Sequence, residues 1–248
     1  MTPLLFLHGF TGSSKSWNEL INKLNAPSIA VDCPGHGNNL IKDLSKPYTF
    51  KDWQKEFNLF INQNNWDNIN LCGYSMGGRL AISYASKFPE KIKSLILISS
   101  NAGILDKNNQ KERIETDYKL STKIINNYQK FLNEWEKLEF FSKQLVRNPN
   151  TFKLQQRIRK SQNPQQLAFI LKNLGTGRMP NYQDKISEFN FPVLIICGEE
   201  DEKYYEISKK LNKYIPKSDL IVVPNSGHAP HIDQPEKVAK LIQNYIES

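Results

Sequence analysis

The chain has 248 residues, with 33 Lys and Arg against 25 Asp and Glu, giving a formal net charge of +8. A chain of this length can bury a core as one large α/β domain or as one domain with an inserted lid. Its 39% hydrophobic and 11% aromatic content excludes a disordered polymer, and no apolar run approaches the roughly 20 residues of a membrane span.

Taken in chain order, short apolar runs alternate with longer amphipathic stretches, which predicts a mostly parallel sheet flanked by helices. The chain enters an apolar run at Pro3 to Leu7 without the basic region or cleavage site of a secretory signal. Strands are expected at Leu4–Leu7, Ser28–Val31, Ile69–Cys72, Ser94–Ile98, Val193–Cys197 and Leu220–Val223. Helical patterns cover Phe50–Asn62, Gly77–Lys87, Glu206–Lys213 and Glu236–Ile246. Between Asn101 and Pro192 the strand rhythm stops, and apolar residues recur at helical spacing (Ile124, Tyr128, Phe131, Trp135, Leu138). That stretch predicts a helical cap of residues 101–191 inserted into a core of residues 1–100 and 192–248.

An isoelectric point near 9.2 raises the question of a nucleic-acid partner. Only six basic residues are arginines (Arg79, Arg113, Arg147, Arg157, Arg159 and Arg178), and the lysines are scattered without interleaved aromatics. Nucleic acid is therefore not the expected partner. Cys33, Cys72 and Cys197 each sit beside a strand-like run and read as reduced core residues of a cytoplasmic protein.

The sharpest local signal is Gly73-Tyr74-Ser75-Met76-Gly77-Gly78, which follows an apolar strand and opens a helix. This strand–turn–helix context is that of a nucleophile elbow, where flanking glycines let the backbone fold tightly enough to thrust out a serine. The helix N-terminus beside it favours developing negative charge. A serine needs a base, and the chain has four histidines: His8, His36, His228 and His231. The order nucleophile, acid, base along the chain selects the final pair. His228, just past the last strand, is the expected base; His231 and His8 are expected to be structural. Gly198-Glu199-Glu200-Asp201 offers three acids after the penultimate strand. Asp201 is favoured, because a short side chain orients an imidazole well. The backbone N–H groups of Phe10 and Met76 are candidates for an oxyanion hole.

Together, His8-Gly9-Phe10, Asp32-x-Pro34-Gly35-His36-Gly37, the 73–78 turn, Gly198-x-x-Asp201 and Gly227-His228 resemble the α/β-hydrolase superfamily over essentially the whole chain. One branch is matched further by Thr11-Gly12-Ser13 with Trp17, by Gly77-Gly78-Arg79, and by Leu174-Gly175-Thr176-Gly177-Arg178-Met179-Pro180. These look like the 2-succinyl-6-hydroxy-2,4-cyclohexadiene-1-carboxylate synthases of menaquinone and phylloquinone biosynthesis. The resemblance implies an α/β-hydrolase fold and a lyase that removes pyruvate from a small tricarboxylate. It implies a triad of Ser75, Asp201 and His228, with substrate held by Arg79, Arg113, Arg159, Tyr74 and Trp135. The family often has Gln-Pro after Gly-Thr-Gly, where this chain has Arg178-Met179-Pro180.

The residue types agree with that implication. A planar guanidinium grips a carboxylate bidentately where an ammonium cannot, so arginine in a lysine-rich chain points to such sites. Arg147 and Arg157 read as surface residues, and Arg178 stays open. No ligand spacing suggests a metal and no phosphate-cradling loop suggests an organic cofactor. Two other functions use the same features: a cytosolic serine hydrolase (carboxylesterase or C–C hydrolase), and a non-catalytic small-ligand-binding module.

Overall fold

The computed structural model describes residues 2–138 and 143–247. Its six strands are β1 (Leu4–Leu7), β2 (Ser28–Val31), β3 (Ile69–Tyr74), β4 (Ile92–Ile98), β5 (Val193–Gly198) and β6 (Ser218–Val223). They form one parallel sheet in the order β2-β1-β3-β4-β5-β6. All six expected runs are strands. The run expected to stop at Cys72 continues to Tyr74, because its ladder with β4 extends through Gly73↔Leu97 and Tyr74↔Ile98.

Period-two alternation divides the strand residues between two apolar layers. Leu5, Leu7, Leu71, Leu95, Leu97, Val193 and Ile195 join one layer with Trp53, Phe57 and Leu80. Leu4, Phe6, Cys72, Ile96, Ile98, Leu194 and Ile196 join the other with Trp17, Val238 and Ile242. The first layer packs under the helices Phe50–Gln63 and Met76–Lys87, the second under Pro235–Glu247. Thr49 starts the Phe50–Gln63 helix, its hydroxyl accepting from the Asp52 N–H while Asp52 accepts from the Thr49 N–H. Each fully buried Leu, Ile or Phe contributes about 1.5–3 kcal/mol, so these layers set the sheet's rigidity.

The chain leaves β1 toward β2 on one side and returns to β3 on the other, so the strand order switches direction beside β1. Crevices outside the carboxyl ends of strands at such a switch are where α/β sheets bind ligands. The loop carrying Phe10 and the turn carrying Ser75 both emerge there.

Between β4 and β5 the described residues form helices Lys107–Asn126, Tyr128–Trp135, Pro149–Lys160 and Pro164–Leu174, with a short turn of helix at Gln144–Arg147. The apolar spacing from Ile124 to Leu138 is not one helix. Asn127 takes an extended conformation (φ −158°, ψ 92°) and its side chain caps the next helix by accepting from the Lys130 N–H. Ile124, Phe131, Leu132, Leu167, Ala168 and Leu171 nevertheless share a separate apolar cluster. No helix among the described residues is long and apolar enough to cross a membrane.

Candidate active site

Ser75 stands between β3 and the helix Met76–Lys87 with φ 50° and ψ −105°. A non-glycine residue held in so sparsely populated a region costs on the order of 1–3 kcal/mol, which the surrounding packing must over-determine. Its neighbours show how. A Cβ on Gly77 would lie 2.1 Å from the Leu7 carbonyl oxygen, and one on Gly73 would lie 2.5 Å from the Gly77 carbonyl oxygen. Only glycine lets β1, β3 and the helix approach closely enough to eject the serine. Among the described residues, neither the Met76 N–H at the helix start nor the Phe10 N–H donates to another group.

His228 lies between Asp201 and Ser75. Its Nδ1 donates to Asp201 Oδ2 at 2.6 Å, and its Nε2 is 3.1 Å from the Ser75 hydroxyl oxygen. An imidazole protonated on Nδ1 has a lone pair on Nε2, so the serine hydroxyl donates to it. Asp201 also starts a helix, since its Oδ1 accepts from the Tyr204 N–H and so caps Glu202–Tyr214. The carboxylate is therefore fixed by the helix it starts, and the three acids of the loop separate. Glu199 accepts from the Asn225 N–H, while Glu200 pairs with Lys143 and Arg147.

The remaining histidines have other work. His8 accepts from the Cys33 N–H at 2.9 Å and His36 from the Thr11 N–H at 3.2 Å, each ring's other nitrogen donating to a carbonyl. Burial lowers His8 to about 4 and His36 to about 3, so both stay neutral and knit the Phe10 loop to the loop after β2. His231 is also held to about 3 by burial, with its ring 4.4 Å from both Trp17 and Tyr74. Cys33, Cys72 and Cys197 are free and buried.

Ser75 and His228 open into a cavity of about 360 Å³. Phe10, Tyr74, Met76, Arg79, Arg113 and Trp135 line it, which brings most of the expected site together. Arg79 is buried and donates to the Leu174 carbonyl at 2.8 Å. Burial and the neighbouring Arg113 charge lower it to about 10. Two guanidiniums of like sign beside a serine make a site suited to carboxylates. Arg113 is held at 2.8 Å by Asp117, one helical turn on. The Gly-Thr-Gly loop packs there: a Cβ on Gly175 would meet Asp117 Oδ2 at 2.4 Å, and the Gly177 N–H donates to the same oxygen. Where the chain departs from the family pattern, Arg178 is exposed and Met179 is buried in the core.

Arg159 does not line this cavity. It borders a small neighbouring one of about 30 Å³, behind Phe10 and Tyr74, and pairs with Glu136 at 3.3 Å. Arg147, expected on the surface, bridges Glu200 and buried Asp233, and Asp233 also accepts from the Gly227 N–H at 2.8 Å. It thereby ties the loop of the acid to the loop of the base. Tyr204 was not singled out by its sequence, yet its ring sits 4.4 Å from His228 and burial keeps its phenol protonated. Its signal was its place three residues after Asp201, in the first turn of a helix that Asp201 caps. Among the described residues no group of three or more His, Cys, Asp or Glu could hold a metal ion.

Comparison with known proteins agrees with this architecture. The profile of the family described as alpha/beta hydrolase fold matches residues 2–235. A Bacillus subtilis (strain 168) protein provisionally named 2-succinyl-6-hydroxy-2,4-cyclohexadiene-1-carboxylate synthase is 35% identical, over 98% of this chain and 89% of its own. The structure of MenH from S. aureus superposes with a TM-score of 0.94 at 32% identity, covering 99% of this chain and 93% of that one. A malate-bound thermophilic esterase from Thermogutta terrifontis, 23% identical with a TM-score of 0.88 over 100% and 90% of the two chains, shares the fold. The chain belongs to the α/β-hydrolase fold family and, within it, to the enzymes named as 2-succinyl-6-hydroxy-2,4-cyclohexadiene-1-carboxylate synthases.

Proposed function

We propose that this enzyme eliminates pyruvate from 2-succinyl-5-enolpyruvyl-6-hydroxy-3-cyclohexene-1-carboxylate, giving 2-succinyl-6-hydroxy-2,4-cyclohexadiene-1-carboxylate. The observation that carries this is the Asp201–His228–Ser75 chain of hydrogen bonds opening into a cavity that also holds Arg79 and Arg113. In this mechanism His228, oriented by Asp201, takes the Ser75 proton, and the serine oxygen acts as the base. It removes the ring proton acidified by the succinyl carbonyl, and the N–H groups of Phe10 and Met76 hold the enolate oxygen that results. As the enolate collapses, the ring alkene shifts and the C–O bond to the enolpyruvyl group breaks. The proton held by His228 balances the departing enolpyruvate, which tautomerises to pyruvate. No acyl-enzyme forms.

Arg79 and Arg113 take carboxylates directly, while Trp135 and Tyr74 wall the ring. Arg159, the third arginine of the family resemblance, joins only when its pair with Glu136 opens. Residues 101–191 act as a cap over a core of 1–100 and 192–248, in a cytoplasmic enzyme with no metal or organic cofactor. The test is to supply the enolpyruvyl substrate to the pure protein and follow pyruvate. Silence with brisk hydrolysis of aryl esters would reassign the same triad to a serine hydrolase. Binding without any turnover would leave a ligand-binding module.

A further inference from the structure

A second cavity of about 600 Å³ adjoins the first. The two share Arg113, Thr176, Lys203 and Tyr204 in their walls. Four cations line the second cavity (Arg113, Lys203, Lys210 and Lys213) and no carboxylate does. The helix Glu202–Tyr214 explains the arrangement. Lys203, Ile207, Lys210 and Tyr214 recur at i, i+4, i+7 and i+11, forming one stripe that faces the cavity with buried Leu211 beside it. Among the described residues none of Lys203, Lys210 and Lys213 has an ion pair, whereas Lys209, outside the cavity, pairs with Glu206. Unpaired like charges around an apolar floor give the cavity mouth a positive potential, one that salt screens because the lysines are exposed.

We propose that this cavity is a second binding site, for small polycarboxylates built on a ring, and that it loads the Ser75 cavity through Arg113. The apolar floor takes the ring and the lysine rim takes the carboxylates. Arg113, which lines both cavities, hands the anion from one to the other. The identity of the ligand as substrate rests on the lyase function proposed above; the binding itself rests on charge and shape.

The probe is benzene-1,2,4-tricarboxylate, titrated calorimetrically into the full-length protein at low salt. Two equivalents are expected per wild-type chain and one for K210Q/K213Q, whose altered side chains are exposed. In the pyruvate assay the double variant should lose about 5–10-fold in kcat/KM at low salt, with the loss falling on KM, and the difference should vanish near ~0.5 M salt. One equivalent bound by both proteins, or an unchanged kcat/KM at low salt, overturns the proposal. If wild type binds two equivalents and K210Q/K213Q one, yet no pyruvate is released, the second site stands and the lyase function falls.

Discussion

At the sheet edge, Ser75, Met76 and Phe10 are placed by backbone: strand ends, a helix start, and glycines in contact with carbonyl oxygens. Across the cavity, in the inserted helices, Arg113 and Trp135 are placed by side chains, through an ion pair with Asp117 and an edge-on contact with the Phe10 ring at 5.8 Å. The first arrangement tolerates almost no substitution but depends on short, local sequence. The second rests on one pair a helical turn apart, Arg113 with Asp117, and on one contact between residues distant in the chain, Trp135 with Phe10. In the proposed mechanism the reacting groups thus sit on the rigid side, while Arg113 and Trp135, two of the groups proposed to hold the substrate, sit on the adaptable one.

Ser75→Ala tests the rigid side most severely. Pyruvate release should fall by roughly 10⁴-fold or more while thermal unfolding stays within a few degrees; a retained rate would remove serine from the chemistry. The next effect is on stability in acid. His8, His36 and His231 are kept neutral by burial, with folded pKa values of about 4, 3 and 3. An unfolded chain takes up these protons near pH 6.5, so it binds more protons than the folded one. Stability is complete above that pH and is lost as pH falls toward 4, by at most about 4 kcal/mol per pH unit. Urea unfolding from pH 7 to 4 checks this, and His36→Gln should flatten the slope by about a third.

Gly77→Ala should cost about 3 kcal/mol or more, since its Cβ would press on the Leu7 and His8 carbonyls. A stability equal to wild type in urea would show that the turn has slack. The smallest effect is expected at Arg79, which faces the cavity from the helix Met76–Lys87 on the rigid side. Arg79→Lys should lower kcat/KM by about 10–100-fold, because an ammonium cannot reproduce the guanidinium fork. An unchanged kcat/KM would mean that the buried charge binds no carboxylate.

The strands, the serine turn and the His228 loop were legible because each rests on local chemistry: period-two apolar runs, glycines around a serine, a histidine after the last strand. Asp201 could be chosen over Glu199 and Glu200 by length of side chain, though its capping of a helix was not foreseen. The inserted helices were less legible. The residues from Ile124 to Leu138 recur at helical spacing, but the chain breaks at the extended, capping Asn127 and the next helix ends at Trp135, before Leu138. The places of Arg147 and Arg159 depend on Glu200, Asp233 and Glu136, which lie 53, 86 and 23 residues away. No local pattern encodes such pairs, so an arginine bridging two loops looks the same in sequence as one in solvent.

In the proposed mechanism, the double role of the Asp201 carboxylate ties activity to the order of folding. One oxygen starts the helix Glu202–Tyr214 while the other sets the ring of His228. A chain in which that helix has not formed lacks this carboxylate to orient the imidazole, so under the proposed mechanism a partly folded form without it would carry an inactive serine. During refolding, the return of turnover would therefore be a clock for a single event, the closing of one helical turn on one aspartate.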